Sequence, residues 1–123
     1  MELKATDLRI NNLVYELGED KEVIIIGSIE AGDFRFYVTN HKDEQIGSDF
    51  LLPIPLTEEW LLRFDISDDY FYHIDDGLLV FGIQVFPDNY YNTVLAELKY
   101  VHQLQNLYFA LTGEELEYTP TKK

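Results

Sequence analysis

The sequence predicts an α+β fold, and three observations carry that reading. The first half of the chain holds β-branched and aromatic runs, "LVYEL", "VIIIGSIE" and "FRFYVTN", separated by short turn segments rich in Gly and Asp. A helix start with a cap, "LTEEWLLRF", breaks that pattern near the middle. A charge-free stretch with helical spacing, Tyr100 to Gly113, closes the chain. The expected architecture is a small antiparallel β-meander or barrel, one short capped helix, a β-hairpin and a C-terminal packing helix. All of it is expected in one domain over residues 1–118, with 119–123 as a frayed tail.

Taken in order, Thr6 and Asp7 suit the cap of a short turn in "TDLRINN". Leu13 to Leu17 reads as a strand, and Val23 to Glu30 as a single longer one. In "FRFYVTN", Phe34, Phe36 and Val38 alternate with Arg35 and Tyr37, so the three apolar residues are expected on one face of a strand. His41 to Ser48 reads as a polar loop. "DFLLPIPL" is extended, and Pro53 and Pro55 cannot donate to a ladder, which sends it to a sheet edge. Thr57 is the N-cap of the next helix, Glu58 and Glu59 face its positive end, and Leu56 and Leu61 occupy staple positions. Trp60, Leu61 and Phe64 are expected to pack inward.

Tyr70 to Ile74 is a strand, "DDG" at Asp75 to Gly77 a hairpin turn, and Leu78 to Phe86 the returning strand. Thr93 to Lys99 mixes strand alternation at Val94, Ala96 and Leu98 with helix-favouring residues; alternation tips it to strand. A helix follows from about Tyr100 to Thr112, with Gly113 as its stop. The tail "EYTPTKK" is expected to fray.

Composition narrows function. Without cysteine there is no disulfide, thiolate metal site or cysteine nucleophile, which fits a reducing cytoplasm. No apolar run approaches the ~20 residues of a membrane span, and "MELKATDL" lacks the apolar core of a signal peptide. A net charge of -14, from 23 acids and 9 bases, opposes direct binding to nucleic acid phosphates. The acidity serves solubility at least, and at most a surface for basic partners or a DNA mimic.

Candidate chemistry is sparse. Asp68–Asp69 and Asp75–Asp76 are separated by the strand between them, roughly 16 Å at about 3.3 Å per residue, too far for a shared acid/base pair. No base lies between Arg63 and Lys99, while seven acids do, so this hairpin half is the most negative region. His41, His73 and His102 form no metal-ligand spacing, and no phosphate-loop or nucleophile-elbow motif occurs. No cofactor or metal is implied. Tyr90 and Tyr91 suit ring stacking or protein contact equally.

The C-terminal helix has two sides. Val101, Leu104, Leu107, Tyr108 and Leu111 form an apolar stripe. His102, Gln105, Asn106 and Phe109 are neighbours on the other side, where a solvated helix would carry Lys and Glu. That side is read three ways: amides satisfying buried groups within the domain, a contact face for a partner or a second copy, or a catalytic site on His102, the weakest of the three.

"YVHQLQNLYFALTGEEL", "PIPLTEEWLLRF" and the opening "DLRINNLV" together resemble stretches of a family of small uncharacterised proteins from gut-bacterial and phage genomes. Asn11 stands where that family's "LRIGNxV" opening has Gly, and Asn tolerates the left-handed backbone such a turn requires. The resemblance implies a mobile-element or prophage context and transfers no catalytic residue. The "LRIGNxV" opening is also similar to that of small SH3-like barrels, a likeness of fold alone. The functional expectation is a non-enzymatic protein-interaction module acting through the charge-free helix or the acidic hairpin. The alternatives are a small ligand-binding protein or enzyme with a site between barrel and hairpin, and an acidic DNA mimic.

Overall fold

A computed structural model describes residues 3–18, 20–83 and 93–119. A 3-10 turn at Ala5–Asp7 leads into β1 (Leu13–Glu16), β2 (Glu22–Ile25), β3 (Ser28–Glu30), β4 (Tyr37–Thr39) and β5 (Gln45–Gly47). A second 3-10 turn at Ser48–Phe50 precedes β6 (Leu51–Leu52). Then come α1 (Glu58–Leu61), β7 (Phe64–Asp65), β8 (Tyr70–Asp75), β9 (Leu78–Ile83), β10 (Thr93–Leu98), α2 (Val101–Thr112) and β11 (Glu117–Tyr118). The fold is α+β, with every strand pair antiparallel and sheets ordered β2-β1-β6, β3-β4-β5, β10-β9-β8 and β11-β7.

The N-terminal strands do not close into a barrel; they form two separate three-stranded sheets. The run Val23–Glu30, expected as one strand, is split between them. The reason lies at Ile26 and Gly27: the Ile26 N–H donates to the Asn12 carbonyl at 2.9 Å, and the Gly27 N–H to the Thr39 carbonyl at 2.6 Å. Consecutive residues thus bond to different sheets. A Cβ at position 27 would lie 3.3 Å from the Thr39 carbonyl oxygen, so glycine lets the two chains approach. Asn11 takes the left-handed conformation expected of it, with φ 78°, and its N–H donates to the Ile26 carbonyl at 2.7 Å.

Two expectations in this half fail. Phe34 is 97% exposed, because the chain bends at residues 33–35 and pairs only from Tyr37; Phe36 and Val38 alone are buried. The supposed polar loop after His41 contains β5, paired with β4 through Val38↔Ile46. Asn40 builds the turn between them, its side-chain oxygen accepting from the N–H of Lys42 at 2.8 Å and of Glu44 at 2.9 Å. Only Ile46 of β5 is buried, so the strand's pattern reads as polar.

Strand alternation feeds two cores. Val14, Ile24, Ile26, Val38, Ile46 and Leu51 pack together on one side of the β2-β1-β6 sheet. Leu13 joins the larger core with Ile54, Trp60, Phe64, Leu79, Phe81, Val101, Leu104 and Tyr108, and Tyr15 and Val23 pack against it. Both faces of this sheet therefore carry a core, with Ile24 of β2 buried on one side and Val23 half-buried on the other, while Ile25 at the strand's end stays exposed.

The second half follows local signals closely. The Thr57 hydroxyl accepts from the Trp60 N–H at 3.2 Å, and Leu56, Trp60 and Leu61 are buried. Asp76 and Gly77 both have positive φ, 51° and 78°, as a two-residue hairpin turn of the primed type requires. Thr93–Leu98 is a strand, but the register slips between Val94 and Ala96. This bulge at Leu95 breaks the expected shared face, leaving Val94 exposed and Leu98 buried. At the start of α2, the Gln103 side-chain oxygen accepts from the N–H of Lys99 at 2.9 Å and of Tyr100 at 3.0 Å. Gly113 ends α2 in the left-handed conformation, φ 74°.

The tail expectation needs correction at Glu117 and Tyr118, which pair with β7. The Tyr118 ring stacks on Trp60 at 5.6 Å between centroids, and the Thr119 N–H donates to the Arg63 carbonyl at 2.8 Å. Positions 120–123, the returning-strand residues 84–86 and the tyrosine loop with Tyr90 and Tyr91 lie outside the described residues.

Candidate functional site

The second side of α2 faces the segment from Asp7 to Leu13. The Gln105 side-chain oxygen accepts from the Leu13 N–H at 2.8 Å, and its amide donates to the Asn11 carbonyl at 3.2 Å. The Asn106 oxygen accepts from the Asn12 amide at 2.8 Å and from Arg9 Nε at 3.2 Å; its own amide donates to the Asp7 carbonyl at 3.2 Å. Each amide thus serves as donor and acceptor to the segment that enters β1, taking up main-chain groups there that the strand pairing does not use.

His102 is 1% exposed, lies parallel to the Tyr100 ring at 5.9 Å, and neither ring nitrogen has a hydrogen-bond partner among the described residues. Burial pushes its pKa below the usual histidine value, opposed by the negative charge of Asp7. Phe109 remains 38% exposed under the Arg9 guanidinium, 4.3 Å from the ring centroid. Arg9 also forks onto the Glu115 carboxylate, and its hydrogen bonds hold the Glu115 carboxyl below the usual range. The structure therefore sets Gln105, Asn106 and Phe109 against the chain's own N-terminal segment, with His102 buried beside the Tyr100 ring. Of the four, only Phe109 is exposed; His102 and Gln105 are buried and Asn106 is half-buried. The apolar stripe is adjusted, since Leu111 faces solvent.

The acidic residues lie elsewhere. Asp68 and Asp69 precede β8, Asp75 and Asp76 close it, and all four are exposed. They bracket the strand and share no site. Among the described residues β8 is the edge of its sheet, bonded only to β9. Its register, Asp75↔Leu78, His73↔Val80 and Phe71↔Gly82, follows from the two-residue turn. In such a hairpin Asp75, His73 and Phe71 exchange bonds with β9, while the N–H and C=O of Tyr72 and Ile74 point away from it. That outward edge opens onto a groove of about 400 Å³ lined by Glu58, Leu61, Leu62, Tyr72, His73 and Ile74. Leu62 is 51% exposed, and Tyr72 is exposed as well.

A second concavity, about 570 Å³, lies between β1–β2 and α1, with Tyr15, Lys21, Val23, Pro55, Trp60 and Arg63 in its wall. The Arg63 guanidinium sits 4.5 Å from the Trp60 ring centroid. Neither concavity was visible in the sequence, because each joins a helix to strands distant along the chain. The only available signals were the unbroken acid bias of 64–98 for the first and the basic residues flanking aromatic ones for the second. Of the other histidines, His41 accepts from the Ile25 N–H at 3.3 Å through Nδ1, and His73 stacks on Phe71 at 6.4 Å. Among the described residues no three acidic or imidazole side chains converge to hold a metal ion, and no helix is long and apolar enough to cross a membrane.

No protein-family model, curated protein or solved structure matches the chain.

Proposed function

We propose that this chain is a non-enzymatic protein-interaction module, an accessory factor of the phage or mobile-element type that its sequence resembles, working in the cytoplasm. One observation carries the interaction reading: the outward edge of β8, with Tyr72 and Ile74 unpaired on that side among the described residues, lies beside a groove lined with Leu61 and Leu62. An open strand edge next to apolar side chains is a template for another chain, and proteins usually blunt such edges unless they use them. The arrangement of β1 to β6, two small sheets sharing the run Glu22–Glu30 and a 3-10 turn before β6, supports reading this half as an open relative of SH3-like barrels. That likeness of arrangement implies no function.

The test is capture from extract of the native host with wild type and with Leu62→Asp, whose side chain is exposed enough to change without unfolding the domain. The expected result is a partner retained by wild type and lost by the variant. Identical captured proteins with both would refute this surface as the working one. A small-molecule site is the second reading, supported by the Trp60–Arg63 cleft, whose volume falls in the usual range for ligands.

A further inference from the structure

We infer that the β8 edge takes an extended, lysine- or arginine-flanked segment of another protein, added to the sheet as a further strand. This rests on the interaction reading above and specifies its partner. The length is set by β8, six residues, whose outward ladder offers the N–H and C=O of Tyr72 and Ile74. A strand docked there places every second side chain over the groove, against Leu61, Leu62 and Tyr72. Those positions call for apolar residues.

Charge defines the flanks. Asp68 and Asp69 stand at one end of the edge and Asp75 and Asp76 at the other, with Glu58 on the groove wall. None of the four aspartates forms an ion pair with a base of this chain among the described residues, and the sequence from 64 to 98 contains no base. An incoming segment with basic residues at both ends meets carboxylates at both ends; an acidic one is repelled twice. The same argument disfavours a second copy of this chain, which brings a net charge of -14 to the contact.

The test uses the full chain and a fluorescent peptide of six alternating valine and threonine residues between two lysine pairs, the core matching β8 in length. Binding is read by anisotropy at low salt. The lysine-flanked peptide should bind at least about tenfold more tightly than its glutamate-flanked counterpart, a preference that shrinks as salt rises. Methylating alternate backbone nitrogens of the peptide should abolish binding, since strand addition needs its N–H groups. Tyr72→Pro should do the same from the protein side. It removes an outward N–H but no β8–β9 bond, and proline is tolerated on edge strands.

Equal affinity for lysine and glutamate flanks overturns the charge assignment. Binding that survives backbone methylation and Tyr72→Pro overturns strand addition. No binding at ~1 mM peptide, weaker than a useful contact, overturns this occupant. If Leu62→Asp still loses a captured partner in that case, the interaction reading stands with a different ligand; if it does not, both fall. Concentration-dependent sedimentation of the free chain that Tyr72→Pro abolishes would replace the basic segment with a second copy.

Discussion

Gln105→Leu isolates the polar join between α2 and the strand-entry segment. Leucine has nearly the same volume, so no cavity confuses the outcome. The substitution removes the acceptor of the Leu13 N–H and the donor to the Asn11 carbonyl. Leu13 is almost fully buried, so its N–H loses its partner without gaining water; such a group costs ~1–3 kcal/mol. Asn11 is exposed, and its carbonyl can turn to solvent, so it belongs at the low end of that range. Asn12 keeps its shorter bond to Asn106. Burying leucine instead of an amide returns about 1 kcal/mol. The expected net loss is about 2 kcal/mol, a sizeable share of the ~5–15 kcal/mol typical of a domain. It should appear in urea titrations as a lower midpoint with an unchanged slope, and as a melting temperature lower by about 8 °C. Phe109→Glu is the internal control: the ring is partly exposed beside Arg9, so the variant should stay within about 1 kcal/mol of wild type. A Gln105→Leu loss below ~0.5 kcal/mol would refute the idea that these amides hold the N-terminal segment to the helix.

Two further outcomes follow from the same packing. Trp60→Ala should cost ~3–5 kcal/mol, since the indole is buried between Phe64, Tyr118 and the Arg63 guanidinium; native emission should be blue-shifted, and a spectrum like that of free indole in water would contradict the placement. His102 should make the fold acid-sensitive. Its folded pKa lies below the unfolded 6.5, so the unfolded chain binds the proton first, and stability is lost as pH falls from 6.5 towards the folded value. Glu115, also lowered, contributes stability present above its ordinary value of 4.5 and lost below it, so its window lies further into acid. His102→Phe should flatten the upper window alone; an unchanged stability–pH profile would mean that His102 does not titrate with unfolding.

What the sequence revealed tracks how locally each feature is determined. The Thr57 cap and the Asp76–Gly77 turn are set within four residues, and both stand as read. The four neighbours on α2 were also legible, because helical spacing places them together. Their partner was not, since Asn12 lies 94 residues from Asn106 and nothing in either segment names the other. The break at Gly27 is decided by the distant Asn12 and Thr39 carbonyls, so a run that looks like one strand becomes two. β5 escaped notice because one buried side chain, Ile46, leaves no alternation to see. Tyr118 looked like tail because its strand is two residues long and its reason is a tryptophan far upstream. The groove beside β8 depends on where α1 docks, which no local pattern records.

The sheet β2-β1-β6 divides two hydrophobic interiors, and its residues alternate between them: Leu13 and Val23 to one side, Val14 and Ile24 to the other. A partition used in this way belongs to neither compartment. Cutting the chain after Leu52 would leave Leu13, Tyr15 and Val23 facing water, while beginning it there would strip Trp60, Val101 and Leu104 of part of their cover. The two interiors are thus unable to melt independently without one of them losing a wall, and unfolding should be all-or-none despite the separate clusters. A shortened chain would inherit a greasy sheet and not a smaller protein, which makes internal fusion at an exposed turn such as Asp76–Gly77 a safer way to engineer this molecule than truncation.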